Sequence, residues 1–337
     1  MIRTLGIAAV SLVAATVFLW IGNSNVFAPA PLSQTELLAH RGVHQTFSSE
    51  GVESDTCTAS RIHPPTHGLM ENTIASIRAA FDAGATFVEF DVHPTTDGHF
   101  AVFHDWTVDC RTNGLGVTRE KSLAELKSLD IGYRYTADGG KTFPLRGKGV
   151  GLMPSLDEVL STFPDGRFFI HVKSRDANEG RKLADVLSRL SAERRGGLVV
   201  YGASEPLDAL KVALPDQRIA SRGNLVSCLL RYAALGWSGY VPDSCRGGAM
   251  FVPSNIAPYL WGWPNRLAAR LAAADTKLVV LGPYSSGDFS TGIDSKPALR
   301  ALPANLPAIV WSSMAQANRS TLSRPRCLTS ASPAAAI

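Results

Sequence analysis

The sequence predicts an α/β protein, a TIM (β/α)8 barrel preceded by an N-terminal hydrophobic signal or anchor segment. Three observations carry that expectation. Near-continuous apolar strands alternate with helical stretches, the pattern of a parallel sheet covered on its outer side. About eight strand-then-helix repeats follow one another over about 280 residues, the size of such a barrel. Ionisable residues gather where the strands end, which is where a barrel builds its site. A doubly wound open sheet is the alternative, but no GxGxxG follows the first strand.

The N-terminus comes first. Arg3 precedes LGIAAVSLVAATVFLWI (5–21), and no further charge occurs before Glu36. A basic start before an apolar core is the pattern of an export signal or signal anchor. The 17-residue run is at the short limit for a membrane-spanning helix. VFA at 26–28 resembles a small-residue cleavage site, but Pro29 follows it and favours an uncleaved anchor. A buried first helix of the domain is the competing reading. Residues 1–31 are therefore assigned to a signal peptide or membrane anchor with its linker, 32–320 to the barrel domain, and 321–337 to a flexible tail.

TELLAHRG (35–42) is the first expected strand, and 43–70 is irregular. NTIASIRAAFDAG (72–84) is a helix capped by Asn72, with Ile74, Ile77, Ala80 and Phe81 on its apolar face and Gly84 at its end. TFVEFDVH (86–93) and HFAVFHD (99–105) are strands flanking an Asp-Gly turn. Short helices follow at 122–130 and 155–163. Further strands are expected at 167–174, 197–204, 218–222, 239–244, 277–284 and 307–313. Helices at 179–190, 206–214, 224–236 and 264–275 lie between them.

The chain carries a net charge of +4, a mild bias toward anionic substrates or surfaces. With no Lys/Arg block and no basic–aromatic interleaving, nucleic acid is not an expected partner. The 5 cysteines contain no CxxC, which excludes a zinc knuckle or thioredoxin-type site. Their odd number leaves at least one unpaired within the chain, and one or two disulfides suit a chain outside the cytoplasm.

The chemistry lies at the strand ends. His40 and Arg41 close the first strand. Glu89, Asp91 and His93 are spaced by two and project to one face. His104 and Asp105 end the next, and His171 and Lys173 share a face of another. All 8 histidines fall between 40 and 171. Two carboxylates side by side repel, and burying them demands a cation between them. Glu89 and Asp91 thus suggest a hard divalent ion held by oxygens. Taken singly, each of these pairs is as well explained by structural hydrogen bonding or a solvated edge. Together, on successive strands, they are not.

AHRG, MENT (70–73), GATFVEFDVHPTTDGHFAVFHD (84–105), RTNG (111–114) and SLAELKSLDIG (122–132) together resemble the glycerophosphodiester phosphodiesterase family of the PLC-like phosphodiesterase superfamily. The resemblance runs in order from 38 to about 174 and thins beyond. It implies a TIM barrel that cleaves phosphodiesters with a divalent metal, Mg2+ or Ca2+ before Mn2+ or Zn2+. It implies that His40 and His104 transfer protons, that Arg41 and Lys173 bind the phosphate, and that Glu89 and Asp91 hold the metal. Gly42 would let backbone approach the ligand, and Glu71 would either serve the site or cap a helix.

Two features depart from the family's pattern. His171-Val172-Lys173 stands where the family has E-x-K, so His171 takes the place of a metal-ligating glutamate. Asp176, Glu179 or His93 are possible compensating ligands. The insertion at 43–70, with Cys57, His63 and His67, is expected over the site mouth. YLWGWPNRL (259–267) and Trp311 line a pocket, pack in the core or, for WGW, meet a membrane interface.

The leading expectation is a metal-dependent phosphodiester hydrolase acting on a small phosphodiester or phospholipid-derived substrate. The domain would lie outside the cytoplasm, exported or anchored through its N-terminal segment. The alternatives are a non-catalytic phosphate or lipid-headgroup binding protein on the same barrel and a phospholipase-D-like enzyme giving a cyclic phosphate.

Overall fold

The structure is a computed structural model and describes residues 2–29, 34–48, 50–53, 55–285 and 291–313. Cys327, the expected tail at 321–337 and most of the linker lie outside these residues. Among the described residues the strands are β1 (Glu36–His40), β2 (Phe87–Pro94), β3 (Phe100–Val102), β4 (Phe168–Val172), β5 (Leu198–Gly202), β6 (Arg218–Ser221), β7 (Ala249–Pro253), β8 (Lys277–Leu281) and β9 (Ile309–Ser312). They form one sheet in the order β6-β5-β4-β2-β1-β9-β8-β7, parallel throughout, with β3 paired antiparallel to β2. Setting β3 aside leaves a nearly closed eight-stranded parallel barrel of the TIM type. Its seam lies between β6 and β7, where a Cβ on Gly248 would stand 2.1 Å from the Ile219 carbonyl oxygen.

The helices are α1 (Ile2–Asn23), α2 (Ile74–Asp82), α3 (Leu123–Ser128), α4 (Leu156–Thr162), α5 (Ala177–Ser188), α6 (Ala192–Gly196), α7 (Ser204–Ala213), α8 (Arg222–Leu235), α9 (Asn265–Ala273) and α10 (Lys296–Arg300). Strand alternation separates two kinds of core. Leu38, Phe87, Phe169, Val199, Val279 and Ile309 point inward and fill the barrel. Val88, Phe90, Val92, Ile170 and Val200 point outward and pack beneath the helices. Ser122 and Ser155 start α3 and α4 with reciprocal capping boxes through Glu125 and Glu158.

Several expectations change. Thr73, not Asn72, caps α2, accepting from the Ser76 amide at 3.1 Å. Asn72 has φ +59 and is turned toward the barrel instead. Ser76, Ile77 and Ala80 are the buried side of α2, with Ile74 and Phe81 partly buried. No strand forms at 239–244, where Asp243–Cys245 is a 3-10 turn. The strand of that repeat is β7, which begins after Gly247 and Gly248. The strand expected at 99–105 shrinks to β3, a hairpin partner of β2, so His104 and Asp105 lie on the loop beyond it.

α1 is a continuous helix whose Val10, Phe18 and Trp20 are exposed. Its C-terminal end is fastened to the barrel wall: Arg270 donates to the Gly22 carbonyl at 2.9 Å and to Asn23 Oδ1 at 3.1 Å. Among the described residues no helix is long and apolar enough to cross a membrane. The cysteines pair as Cys57–Cys110 and Cys228–Cys245.

Candidate active site

Strand register assembles the site. His40 on β1 is level with Glu89 on β2, and Asp91 is level with His171 on β4, itself level with Tyr201 on β5. His40, Glu89, His171 and Tyr201 continue the inward-facing columns of Leu38, Phe87, Phe169 and Val199 by two residues, and Asp91 continues that of Phe87 by four. The same alternation that packs the barrel floor therefore delivers the polar groups to its C-terminal mouth.

Beyond β1 the chain turns sharply, with φ +57 at Arg41 and +73 at Gly42. Only glycine fits the second position, because a Cβ there would lie 2.3 Å from Ser76 Oγ. The turn is held by the Arg41 amide donating to Glu89 Oε2 at 3.1 Å. The Arg41 carbonyl accepts from the Asn72 amide at 3.0 Å and from Ser76 Oγ at 3.1 Å. An L-residue in left-handed backbone costs energy and persists only when its surroundings hold it there.

Glu89 and Asp91 are 0% and 1% exposed. Burial, then the neighbouring Asp91 charge, pushes the Glu89 carboxyl up to about 8. Burial acts against the Asp91 charge too. His104, Lys173, Arg41 and the bond from His171 outweigh it and hold Asp91 well below the usual carboxylate range. Lys173 Nζ is 3.6 Å from Asp91 Oδ1, and Asn72 Nδ2 donates to Asp91 Oδ2 at 3.2 Å. His171 Nδ1 lies 2.9 Å from Asp91 Oδ1, and its ring stacks on Tyr201 with centroids 4.4 Å apart. Tyr201 OH donates to Glu89 Oε1 at 2.6 Å.

Ligand atoms of Glu89, Asp91 and His171 lie within 4.8 Å of one another. This donor set fits a divalent cation. A buried carboxylate that is neutral near pH 7 unless a positive charge stands beside it is the site such an ion satisfies. An imidazole in the set widens the acceptable metals toward Mn2+ or Zn2+. His93, Asp176 and Glu179 lie outside this group. His93 Nε2 donates to the His104 carbonyl at 3.3 Å, Asp176 caps α5, and Glu179 pairs with Arg119.

His104 Nδ1 donates to Asp105 Oδ1 at 2.7 Å, and Arg111 Nε donates to Asp105 Oδ2 at 2.8 Å. This fixes the His104 tautomer and leaves Nε2 free to exchange a proton. Burial, then Arg41, lowers His104 to about 4. Burial, then Arg41, also holds His40 well below its usual value, so both rings are neutral at pH 7. His40 Nε2 is 3.7 Å from Glu89 Oε2. Glu71 does not cap α2. It bridges Arg41 Nη1 at 3.0 Å and Arg111 Nη1 at 3.1 Å.

His40, Arg41, His104, His171 and Lys173 thus share one cavity of about 300 Å³. Phe47, Val52 and Thr58 of the 43–70 insertion cover part of it, and Tyr201, Phe251 and Trp311 form an aromatic wall. The insertion is ordered around its histidines. His63 Nδ1 is 3.1 Å from Thr46 Oγ1, and His67 Nδ1 accepts from Gln45 Nε2 at 3.1 Å. Cys57 ties the insertion to the loop carrying Arg111. Of the aromatic candidates only Trp311 lines the cavity. Trp261 Nε1 donates to the Ala233 carbonyl at 2.9 Å, away from the site.

The sequence assigns no role to Arg111 or Tyr201, and gives Asn72 only that of a helix cap. Arg111 stood inside a motif already noted, RTNG. Tyr201 is level with His171 one strand over, a relation that strand alignment alone would expose.

The model of the glycerophosphoryl diester phosphodiesterase family matches residues 40–207. The chain is 39% identical over 103 residues to the glycerophosphodiester phosphodiesterase of Caldanaerobacter subterraneus subsp. tengcongensis, covering 31% of this chain and 39% of that one. It is 37% identical over 114 residues to the glycerophosphodiester phosphodiesterase of Bacillus subtilis, covering 33% and 38%. The matched segment thus spans about two fifths of these relatives' length. The fold is similar to that of the glycerophosphoryl diester phosphodiesterase domain of a Mycobacterium tuberculosis protein. There the TM-score is 0.57 at 18% identity, over 84% of this chain and 98% of that one. The family match runs from His40, the last residue of β1, through β2, β4 and the loops that position His104 and Arg111: residues 40–207 belong to the glycerophosphoryl diester phosphodiesterase family.

Proposed function

We propose that the protein is a metal-dependent phosphodiester hydrolase that cleaves glycerophosphodiesters, or lipid-like phosphodiesters, to an alcohol and a phosphomonoester. The observation that carries this reading is the meeting of the His40 and His104 imidazoles with Arg41 and Lys173 in one cavity, whose wall residue His171 joins the buried Glu89 and Asp91 in one donor set. A divalent cation held by Glu89, Asp91 and His171 would neutralise charge on a phosphoryl oxygen. Arg41 and Lys173 bind the remaining phosphate oxygens, the guanidinium through directed N–H bonds and the ammonium as a point charge.

His104 Nε2 takes the proton of the attacking water, and Asp105 stabilises the resulting imidazolium. His40, facing Glu89 Oε2, takes up a proton as the anionic diester binds beside it and gives that proton to the departing alkoxide; His104 then releases the proton it took from water to solvent, and both rings are neutral again. Water's oxygen bonds to phosphorus, the phosphorus–oxygen bond to the alcohol breaks, and a phosphomonoester leaves. Tyr201 and Asn72 orient Glu89 and Asp91.

Two disulfides and the exposed apolar residues of α1 support a domain outside the cytoplasm, exported or anchored through residues 1–31. Residues 32–320 would form the barrel domain.

Phosphorus NMR of glycerophosphocholine incubated with the full chain and Mg2+ or Ca2+ tests the reaction. The expected product is a phosphomonoester signal. A cyclic phosphate would replace hydrolysis with attack by a substrate hydroxyl. An unchanged diester that nonetheless binds would indicate the non-catalytic binding protein.

A further inference from the structure

α1 stands free of the barrel. Every residue from 10 to 18 is exposed, so over that stretch no side of the helix is covered by the rest of the described chain. Val10, Leu12, Val13, Val17 and Phe18 are the large apolar residues among them. Thr16 turns its hydroxyl back to the Leu12 carbonyl at 2.9 Å. No charge occurs between Arg3 and Glu36. A helix that is apolar on every side belongs in a protein core or in lipid. Among the described residues no core surrounds this one.

The root of α1 is locked, and its direction follows. α9 precedes β8 and so runs from the barrel mouth toward the base. Arg270 on α9 donates to the Gly22 carbonyl and to Asn23 Oδ1. Arg266, one turn nearer the mouth, donates to the Ser24 carbonyl at 3.2 Å and to the Phe27 carbonyl at 2.8 Å. The chain therefore climbs mouthward from Gly22 to Phe27, and α1, which comes before, leaves past the base. Asn23 Nδ2 also donates to the Trp237 carbonyl at 2.9 Å, on the turn that follows α8 at the base. Arg270 Nη1 holds the same turn through the Gly236 carbonyl at 2.9 Å.

Aromatic rings collect at that root. Trp20 and Phe27 are exposed and meet edge to face, with centroids 6.5 Å apart. Trp237 and Tyr240, on the base turn, are 45% and 46% exposed. Such rings, apolar with one polar atom, suit the headgroup layer of a bilayer. A second copy of the chain would cover one side of α1, whereas lipid covers all of them. We propose that the barrel base around Trp237 and Tyr240 rests on a lipid bilayer, with α1 embedded in it and the mouth opening away into water. The stretch 7–21 measures about 22 Å at 1.5 Å per residue, enough to enter the hydrocarbon. The five residues of β1 set the mouth about 15 Å or more above the base. Because the root is held by two arginines, the barrel keeps this attitude. Resting on the phosphodiesterase reading, the consequence is a substrate class: diesters dissolved in water, not those held in the bilayer beneath.

The full chain is reconstituted with phosphatidylcholine vesicles and floated on a density gradient. Wild type should float, and Phe18→Asp should lower its partitioning by about tenfold or more, because it puts a charge in hydrocarbon. Brominated phosphatidylcholine then reports the attitude through tryptophan fluorescence. Trp237→Phe should remove part of the quenched intensity. Trp106→Phe, at the mouth beside Asp105 and 47% exposed, should remove none. Amide exchange on the wild type needs no variant: residues 236–241 should slow severalfold on vesicles, and 106–116 should not change.

A wild type that does not float, or a Phe18→Asp variant that floats equally well, would overturn the lipid partner. A dimer in light scattering without flotation would give α1 to a second copy and overturn it too. Quenching lost in Trp106→Phe, or protection at 106–116 in place of 236–241, would turn the mouth to the bilayer and overturn the attitude. On the vesicles, wild type should turn over glycerophosphocholine supplied in solution and leave the vesicle phosphatidylcholine intact. Cleavage of the vesicle lipid would overturn the outward mouth. Turnover of neither would remove the phosphodiesterase reading, and with it the substrate class, while the docking stands on flotation and quenching.

Discussion

His104 shows how the site works atom by atom. Asp105 takes its Nδ1 hydrogen at 2.7 Å, Arg111 holds Asp105 at 2.8 Å, and Glu71 holds Arg111 at 3.1 Å. The chain of contacts leaves Nε2 the only ring atom able to move a proton toward the cavity. His104→Ala and His40→Ala should each lower kcat by about 10²- to 10⁴-fold, the usual worth of a positioned acid or base. Melting temperature and far-UV circular dichroism should stay near wild type. A rate within a fewfold of wild type in either variant would remove that residue from the proton transfer. The ionisable pairs at strand ends were legible in the sequence because a spacing of two fixes the face on which they lie. Tyr201 was not, because its contact with Glu89 spans 112 residues and depends on strand register. Arg111 lies on a loop, where no period announces direction.

At the scale of elements, the sequence located most helices to within a few residues. It failed where two short apolar runs competed for one strand. GYVPDS holds Pro242 and Asp243 and closes as a 3-10 turn, while AMFVP, preceded by two glycines and ending in proline, is β7. Neither run is long enough for periodicity to decide. HFAVFHD had strand character, but alternation does not encode direction, and β3 pairs antiparallel to β2. The insertion is the element with the sharpest consequence. Its Cys57–Cys110 bond joins positions 53 residues apart and carries Arg111 beside Thr58, which accepts from Arg111 Nη2 at 2.9 Å. Replacing both cysteines by alanine should cost about 2–4 kcal/mol in urea unfolding. It should also raise KM more than it lowers kcat, since Phe47 and Thr58 line the cavity. Unchanged stability and KM would show that the insertion holds its place without the bond.

For the whole molecule, the barrel converts one strand register into a site with buried charges of both signs, and this makes stability depend on pH. Burial is the largest single influence on Asp105 and Glu71 and opposes their charges, but Arg111 and His104 together outweigh it at Asp105, and Arg111, Arg41 and the neighbouring histidines together outweigh it at Glu71. Both carboxyls are held below their ordinary values. A depressed carboxylate stabilises the folded state fully above its unfolded pKa, near 4. That contribution is lost as pH falls through the lower folded value. Urea midpoints should therefore decline steadily below about pH 4, and Asp105→Asn should flatten that decline while lowering stability at pH 7. An equally steep acid limb in Asp105→Asn would place the dependence elsewhere.

The barrel itself was legible from the strand–helix rhythm. Its near-closure at Gly248 and the docking of α1 through Arg270 were not, because both are contacts between distant segments.

The central claim is that this cavity hydrolyses a glycerophosphodiester with the help of a divalent metal. It is tested most directly by the steady-state turnover of glycerophosphocholine by the full chain, in Mg2+, Ca2+ or Mn2+ and then in excess chelator. The account predicts turnover with at least one of these metals and its loss in chelator, restored when the metal is returned. Turnover indifferent to chelator, or none with any metal, would contradict it.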